Sequence, residues 1–240
     1  MNSLLHIAIK GHGGLESWEK YDTISARLEV GGLTWARKQQ PGIVEDVWVT
    51  VGTKLQDVVF KQNSGHRLTA HFVNDQVIVN DQNGSLIETL YQPRKSFDGH
   101  KRESVWSLPQ AFYFASYAIW IYFNAPFVFA SPGYVVEEIS PWTENGEQWR
   151  RLQVTFPEDV HTHSKIQTFY IDDAGLIRRH DYNVEISGNV ASAHYLYDYV
   201  DVAGIKFPTR RLVFLRKDDN TSLQPEPLFV KVNVEDLKLQ

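Results

Sequence analysis

Short runs of alternating apolar and polar residues fill most of the chain. "TISARLEV" (23–30), "EDVWVTVG" (45–52), "LQDVVFKQ" (55–62), "HRLTAHFV" (66–73), "QVIVND" (76–81) and "SLIETLYQ" (85–92) are separated by Gly, Asn and Asp. The same texture returns later in "YVVEEI", "QWRRLQVTF", "KIQTFYI", "LIRRHDYNVEI", "ASAHYLYDYV", "KFPTRRLVFL" and "LFVKVNVEDL". A period of two sends successive side chains to opposite faces of a strand, and the spacers are of hairpin length. The pattern predicts a mainly β protein of the α+β class, with roughly 11–12 antiparallel strands in one sheet. A sheet that wide curls into a full or partial barrel. No linker or internal repeat divides it, so residues 1–240 are expected to form a single domain.

Helical periodicity breaks the strand pattern in two places. A short helix fits Ser3 to Lys10, with Ser3 as N-cap and Gly11 closing it, followed by a helical turn over Leu15 to Tyr21. The second place is "QAFYFASYAIWIYFNAPFVFA" (110–130), which lies in an interval without charge between Glu103 and Glu137. Aromatic residues make up half of positions 112–129. The run reaches the roughly 20 residues of a membrane span. Asn124 and Pro126 interrupt it, however, and its apolar content is aromatic where a span favours Leu, Ile and Val. No transmembrane segment is expected. The stretch is read as a helix, 108–124, enclosed by the curled sheet as a plug. Ala111, Ala115, Ala118 and Tyr122 form a mostly small stripe suited to close approach on the sheet. Tyr113, Tyr117, Trp120 and Asn124 form an aromatic stripe with polar tips, suited to the wall of a cavity. A helix buried on all sides, its polar tips bonded to nearby carbonyls, is the alternative.

Turn chemistry sets an expected register for the late hairpins. "DDAG" (172–175) fits a type I turn with a glycine bulge and puts Ile171 opposite Ile177, Tyr170 opposite Arg178 and Thr168 opposite His180. A two-residue turn at Gly188-Asn189 pairs Val184 with Ala193, Tyr182 with Tyr195 and His180 with Tyr197. One face then carries Arg179, Asp181, His194 and Asp198 and is expected to meet solvent. The other carries Thr168, Tyr170, Arg178, His180, Tyr182, Tyr195 and Tyr197 and is expected to be concave. Buried phenols, an imidazole and a guanidinium need partners, so such a face implies an internal polar network or a ligand cavity.

Charge and composition remove several functions. The formal net charge is −5, and Lys and Arg never run beyond two or three together, so no nucleic-acid partner is expected. There is no cysteine and hence no disulfide or thiolate chemistry. "GHGG" (11–14) lacks the Lys-Ser/Thr of a phosphate loop and follows a helix, so no nucleotide cofactor is expected. His161 and His163, with Glu158 and Asp159 nearby, have the spacing to begin a zinc site but lack a third ligand. No metal is expected. The N-terminus lacks the basic start and apolar core of a signal peptide, and a cytoplasmic location is expected.

The short helix ending in "GHGGLESW", the strand "ISARLEVGG", the hairpin "FYIDDAGLIRRHDY" and the strand "KFPTRRLVF" resemble the lipoprotein-carrier (LolA-like) superfamily, closest to its uncharacterised members, over most of the chain. The resemblance implies an incomplete antiparallel barrel, helices closing its mouth, and an apolar cavity that takes up acyl chains in the carriers. The same fold supports a cofactor-independent enzyme of indole-pigment biosynthesis. The leading expectation is therefore a non-enzymatic binding or carrier protein for a hydrophobic or amphiphilic small molecule, held by Tyr113, Tyr117, Trp120, Asn124, Thr168, Tyr170, Arg178, His180, Tyr182, Tyr195 and Tyr197. The alternative is an enzyme in the same cavity with His180 as acid or base.

Overall fold

The computed structural model describes residues 2–240. In chain order the elements are α1 (Ser3–Gly11), α2 (Leu15–Trp18), β1 (Thr23–Gly31), α3 (Leu33–Arg37), β2 (Asp46–Gly52), β3 (Val58–Gln62), β4 (Thr69–Val73), β5 (Gln76–Asn80) and β6 (Leu86–Tyr91). Then come α4 (Leu108–Asn124), β7 (Val135–Glu144), β8 (Glu147–Thr155), β9 (Ile166–Ile171), β10 (Ile177–Val184), β11 (Val190–Val202), β12 (Ile205–Leu215) and β13 (Leu228–Leu239). The strands form one antiparallel sheet of 13, ordered β6-β5-β4-β3-β2-β1-β13-β12-β11-β10-β9-β8-β7. Every neighbour is the next strand in sequence except at the centre, where β1 pairs with β13. The edge strands β6 and β7 do not pair with each other, so the sheet curls without closing.

Alternation fixes which side of each strand is inner. Ile24, Ala26, Leu28 and Val30 of β1, Val47, Val49 and Val51 of β2, and Val77 and Val79 of β5 are buried, while their neighbours are not. α4 lies across the concave side of β2 to β6. Its start is a capping box: Ser107 Oγ accepts from Gln110 N (3.4 Å) while Gln110 Oε1 accepts from Ser107 N (2.9 Å). Its end is set by Pro126, which has no N–H to continue the ladder. Residues 109–124 are buried without exception, so the helix 108–124 is enclosed as the sequence predicts. No helix among the described residues is long and apolar enough to cross a membrane.

Some local expectations are corrected. The N-cap of α1 is Asn2, whose Oδ1 accepts from Leu4 N and Leu5 N, and Ser3 is already helical. α2 ends at Trp18, short of Tyr21. α3, which the strand-like text gave no reason to expect, folds after Gly31-Gly32 and buries Trp35 against β13.

The larger correction concerns register. β9 and β10 begin as expected, with Ile171 opposite Ile177, but a bulge at Arg178 then sets Tyr170 opposite Arg179, Phe169 opposite His180 and Thr168 opposite Asp181. The β10–β11 turn is also longer than two residues. Glu185–Ser187 form a 3-10 turn, Gly188 and Asn189 take left-handed φ of 70° and 59°, and Val184 pairs with Val190. His180 therefore faces His194, Tyr182 faces Ser192, and Arg179 faces Tyr195. An odd shift moves a whole strand to the other face. His194, expected outside, is inside beside His180, their ring centroids 5.7 Å apart. Thr168, Tyr170, Tyr195 and Tyr197, expected on the concave face, sit on the outer one.

That outer face is not simply solvated. Trp149, Tyr170, Ala193, Tyr195 and Phe214 form a second small core, flanked by Trp142 and Tyr197. Arg179, expected in solvent opposite Asp198, is 0% exposed at its centre. Its Nε and Nη2 donate to Asp181 (2.6 and 2.8 Å), Nη1 to Glu144 (2.7 Å) and Nη2 also to Asn220 O (2.8 Å). The guanidinium lies 4.7 Å from the Tyr170 ring centroid and 5.4 Å from that of Tyr195. Asp198 pairs with Arg210 instead.

Candidate functional site

The two stripes of α4 have exchanged the roles that the sequence suggested. Tyr113, Tyr117, Trp120 and Asn124 face filled core. The Tyr113 hydroxyl bonds His161 Nδ1 (2.8 Å), and its ring packs on Phe72 and Phe97. Trp120 Nε1 donates to Leu55 O (2.8 Å), and Asn124 Nδ2 to Gly52 O (3.2 Å) and Trp120 O (2.9 Å). The Tyr117 hydroxyl is buried without a partner, its ring 5.0 Å from that of His163. This side of the helix follows the alternative of the sequence reading, polar tips mostly tied down inside the core.

The opposite stripe borders open space. Ala115, Ala118, Ile119 and Tyr122, with Phe114, stand across from Leu28 and Val30 of β1 and Val230 and Val232 of β13, leaving a slot of about 30 Å³. The small side chains of Ala115 and Ala118 leave the gap unfilled. Phe114 and Val230 also border a second space of about 50 Å³, lined further by Tyr182, Val184, Val213, Phe229 and the buried Trp106 and Lys38, with the exposed Arg37 and Arg102 at its rim. Tyr122 in turn borders a third, of about 10 Å³, with His180, Leu196, Tyr199 and Arg211. The slot shares Phe114 and Val230 with the second space and Tyr122 with the third, so the three follow one another along a narrow seam between α4 and the inner face of the β1–β13–β12–β11–β10 half of the sheet.

The inner end of the seam is polar and carries no carboxylate. The Tyr122 and Tyr182 hydroxyls are bonded at 2.8 Å. His163 stacks on Tyr182 with centroids 3.8 Å apart, and His180 stacks on Phe169 at 4.0 Å. Gln167 donates through Nε2 to Thr162 Oγ1 and Ser164 O, so its Oε1 accepts from His180 Nε2 at 2.6 Å and fixes that tautomer. Burial holds His163, His180 and His194 well below the ordinary imidazole value, so all three are neutral. Burial likewise raises the Tyr122 phenol to about 12. Arg211 Nη2 donates at 2.6 Å to the Tyr122 carbonyl, whose helical partner would have been the missing N–H of Pro126.

Of the sequence-predicted residues, only His180 and Tyr182 line this seam. Arg178 lies at the β10 bulge, partly exposed, with Asp172 3.8 Å away. Thr168, Tyr170 and Asp181 border an outer polar cleft of about 420 Å³, and His161 borders another of about 370 Å³ with Arg94 and Glu185. Both are larger than the seam but open and polar, which suits solvent better than an apolar ligand. His161 and His163 do not converge: His161 faces Tyr113 and Asp75, whereas His163 enters the core. Sequence reasoning missed Phe114, Ala115, Ala118 and His194 as lining or inner groups. Arg211 was not missed: each Arg-Arg pair in a strand sends one guanidinium to either face, which made Arg211, with Arg178, a candidate inner group for an anionic head, and Arg211 is the one that lies inside, in one alternation with Phe207 and Val213.

No family model matches the chain, and no curated protein matches it in sequence. The fold does match solved structures. A LolA superfamily protein of Nitrosomonas europaea superposes with a TM-score of 0.52 at 10% identity, covering 94% of this chain and 91% of the other. A DUF1329 family protein of Desulfovibrio piger gives 0.46 at 12% identity over 99% and 92%. A domain of Vibrio parahaemolyticus assigned to outer-membrane lipoprotein sorting gives 0.39 at 11% over 96% and 93%. The fold is thus LolA-like, as the sequence resemblance implies. The cytoplasmic location expected above is not retained, because the structure that matches this fold is a LolA superfamily protein.

Proposed function

We propose that the protein binds an apolar or amphiphilic small molecule in the seam between α4 and the concave sheet, in the manner of a carrier. The observation that carries this reading is the alanine flank of α4 facing a gap walled by Leu28, Val30, Val230 and Val232. A well-packed core leaves few such gaps, and a gap lined by hydrocarbon stays dry and favours an apolar occupant. Each Å² of apolar ligand surface removed from water contributes roughly 25 cal/mol. His180 and Tyr182 remain in the proposed site as polar groups at its inner end.

The seam is narrower than the roughly 300–1,000 Å³ of sites for drug-sized ligands, so occupation by a lipid requires its walls to part. Lys38 marks where. Its Nζ is held by Arg102 O (2.8 Å) and Ser104 O (3.1 Å), and burial lowers the ammonium to about 8. This bond joins the end of α3 to the 99–106 segment over the outer rim. The test is native mass spectrometry of gently purified protein with extraction of whatever is released, repeated on Ala118→Phe, whose ring is larger than the slot and blocks it. The reading expects a co-purifying or readily loaded apolar compound in the parent and at least a tenfold loss of loading in Ala118→Phe. Equal loading of both proteins, or none in either with a panel of fatty acids and polycyclic probes, would remove the seam as the site.

A further inference from the structure

We infer that the ligand is an acid, an apolar monocarboxylate that enters the seam with its carboxylate inward and pairs with Arg211. This rests on the carrier reading and names the chemistry of its ligand. Two arginines of the chain are buried on opposite faces of the sheet. Arg179 is 0% exposed and has two carboxylates, a backbone carbonyl and two aromatic faces. Arg211 is 1% exposed and has one carbonyl and one ring, that of Tyr122, 5.0 Å away. Its Nε has no partner. The charged forms that would favour its cation belong only to the phenols of Tyr199, Tyr122 and Tyr182, which burial keeps protonated.

A guanidinium without an anion is among the most costly groups to bury. The end of α4 offsets part of this cost, since a helix C-terminus carries about half an elementary negative charge. The rest of the surroundings opposes a cation: His12, His180 and His194 all lie close enough for Arg211 to disfavour their protonation, and none supplies negative charge. Both ring nitrogens of His194 are also without partners. One fixed cation, a free Nε donor and a neutral imidazole beside it match one carboxylate, which takes a guanidinium side-on through parallel bonds. A dianion such as a phosphate monoester would lack a second cation here.

The apolar slot meets this group at Tyr122, which borders both spaces. The Tyr122 ring stands between the slot and Arg211, so a tail lying along Ala115 and Ala118 brings its head to Arg211 when that ring swings aside. The experiment measures binding of cis-parinaric acid and its methyl ester by fluorescence, in the parent protein, Arg211→Met and Arg102→Gln. The expected result is at least a tenfold preference for the acid in the parent, abolished in Arg211→Met with ester affinity retained. Equal binding of acid and ester by the parent overturns the inference while leaving the carrier reading in place. A preference that survives in Arg211→Met and vanishes in Arg102→Gln puts the acid at the outer rim and also overturns it. Binding of neither compound overturns the carrier reading itself. Should Arg211→Met fail to fold, Arg211→Lys replaces it, with reduced but measurable discrimination expected because a point charge lacks the two-pronged geometry.

Discussion

His12, His163, His180 and His194 are buried as neutral imidazoles, and this makes the protein sensitive to acid. In each, burial is the largest cause of the lowered pKa; for His12 the charges of Arg211 and Lys206 add to it, against a bond from Nδ1 to Ala8 O. The folded value of His12 is about 4, from an ordinary 6.5. Below 6.5 the unfolded chain takes up protons that the folded chain refuses, so stability present above 6.5 is lost as pH falls toward 4. A shift of that size amounts to about 3 kcal/mol for His12 alone, and the other three histidines act in the same direction. Urea unfolding at pH 7.5, 5.5 and 4.5 is expected to show the midpoint falling at each step. A midpoint constant across that range would contradict the burial of these rings as neutral groups. Much of this was hidden from sequence reading for a local reason. One extra residue at Arg178 and three at the β10–β11 turn exchanged inner and outer positions, and neither bulge has a residue signature strong enough to be read in advance.

Among the elements, α4 was the most legible and its orientation the least. Ser107, Gln110 and Pro126 bound it by chemistry that depends only on neighbours in sequence, so its limits at 108 and 124 could be read directly. A helix buried on every side, however, has no polar face to declare its direction, and the choice between its alanine and tyrosine stripes was made by partners far along the chain. α1 illustrates a close approach that sequence leaves implicit. It packs on the β9–β10 turn so tightly that a Cβ on Gly175 would stand 2.6 Å from Ile7 O, at a φ of +81° that already disfavours a side chain. Gly175→Ala is expected to destabilise the protein by more than about 1 kcal/mol, the usual cost of the backbone conformation alone. A chemical-denaturation midpoint unchanged from the parent would show that α1 does not dock as described.

At the scale of the molecule, the sheet solves an asymmetric problem. Its β2–β6 half is filled by α4, while its β10–β13 half is covered by loops, short helices and the far flank of the same helix. The seam lies where these two kinds of cover meet. The strand content and antiparallel pairing followed from period-two patterning and hairpin-length spacers. The joining of β1 to β13 did not, because it brings together the two ends of the chain and no turn specifies it. The central claim, that the seam is a binding site, is tested most directly by photolabelling with a diazirine-bearing fatty acid, followed by peptide mass spectrometry to locate the adducts. The account expects adducts confined to residues such as Phe114, Ala118, Tyr122 and Val230, competed away by unlabelled acid. Labelling only on the outer face around Trp142 and Tyr197, or adducts that excess unlabelled acid does not displace, would contradict it.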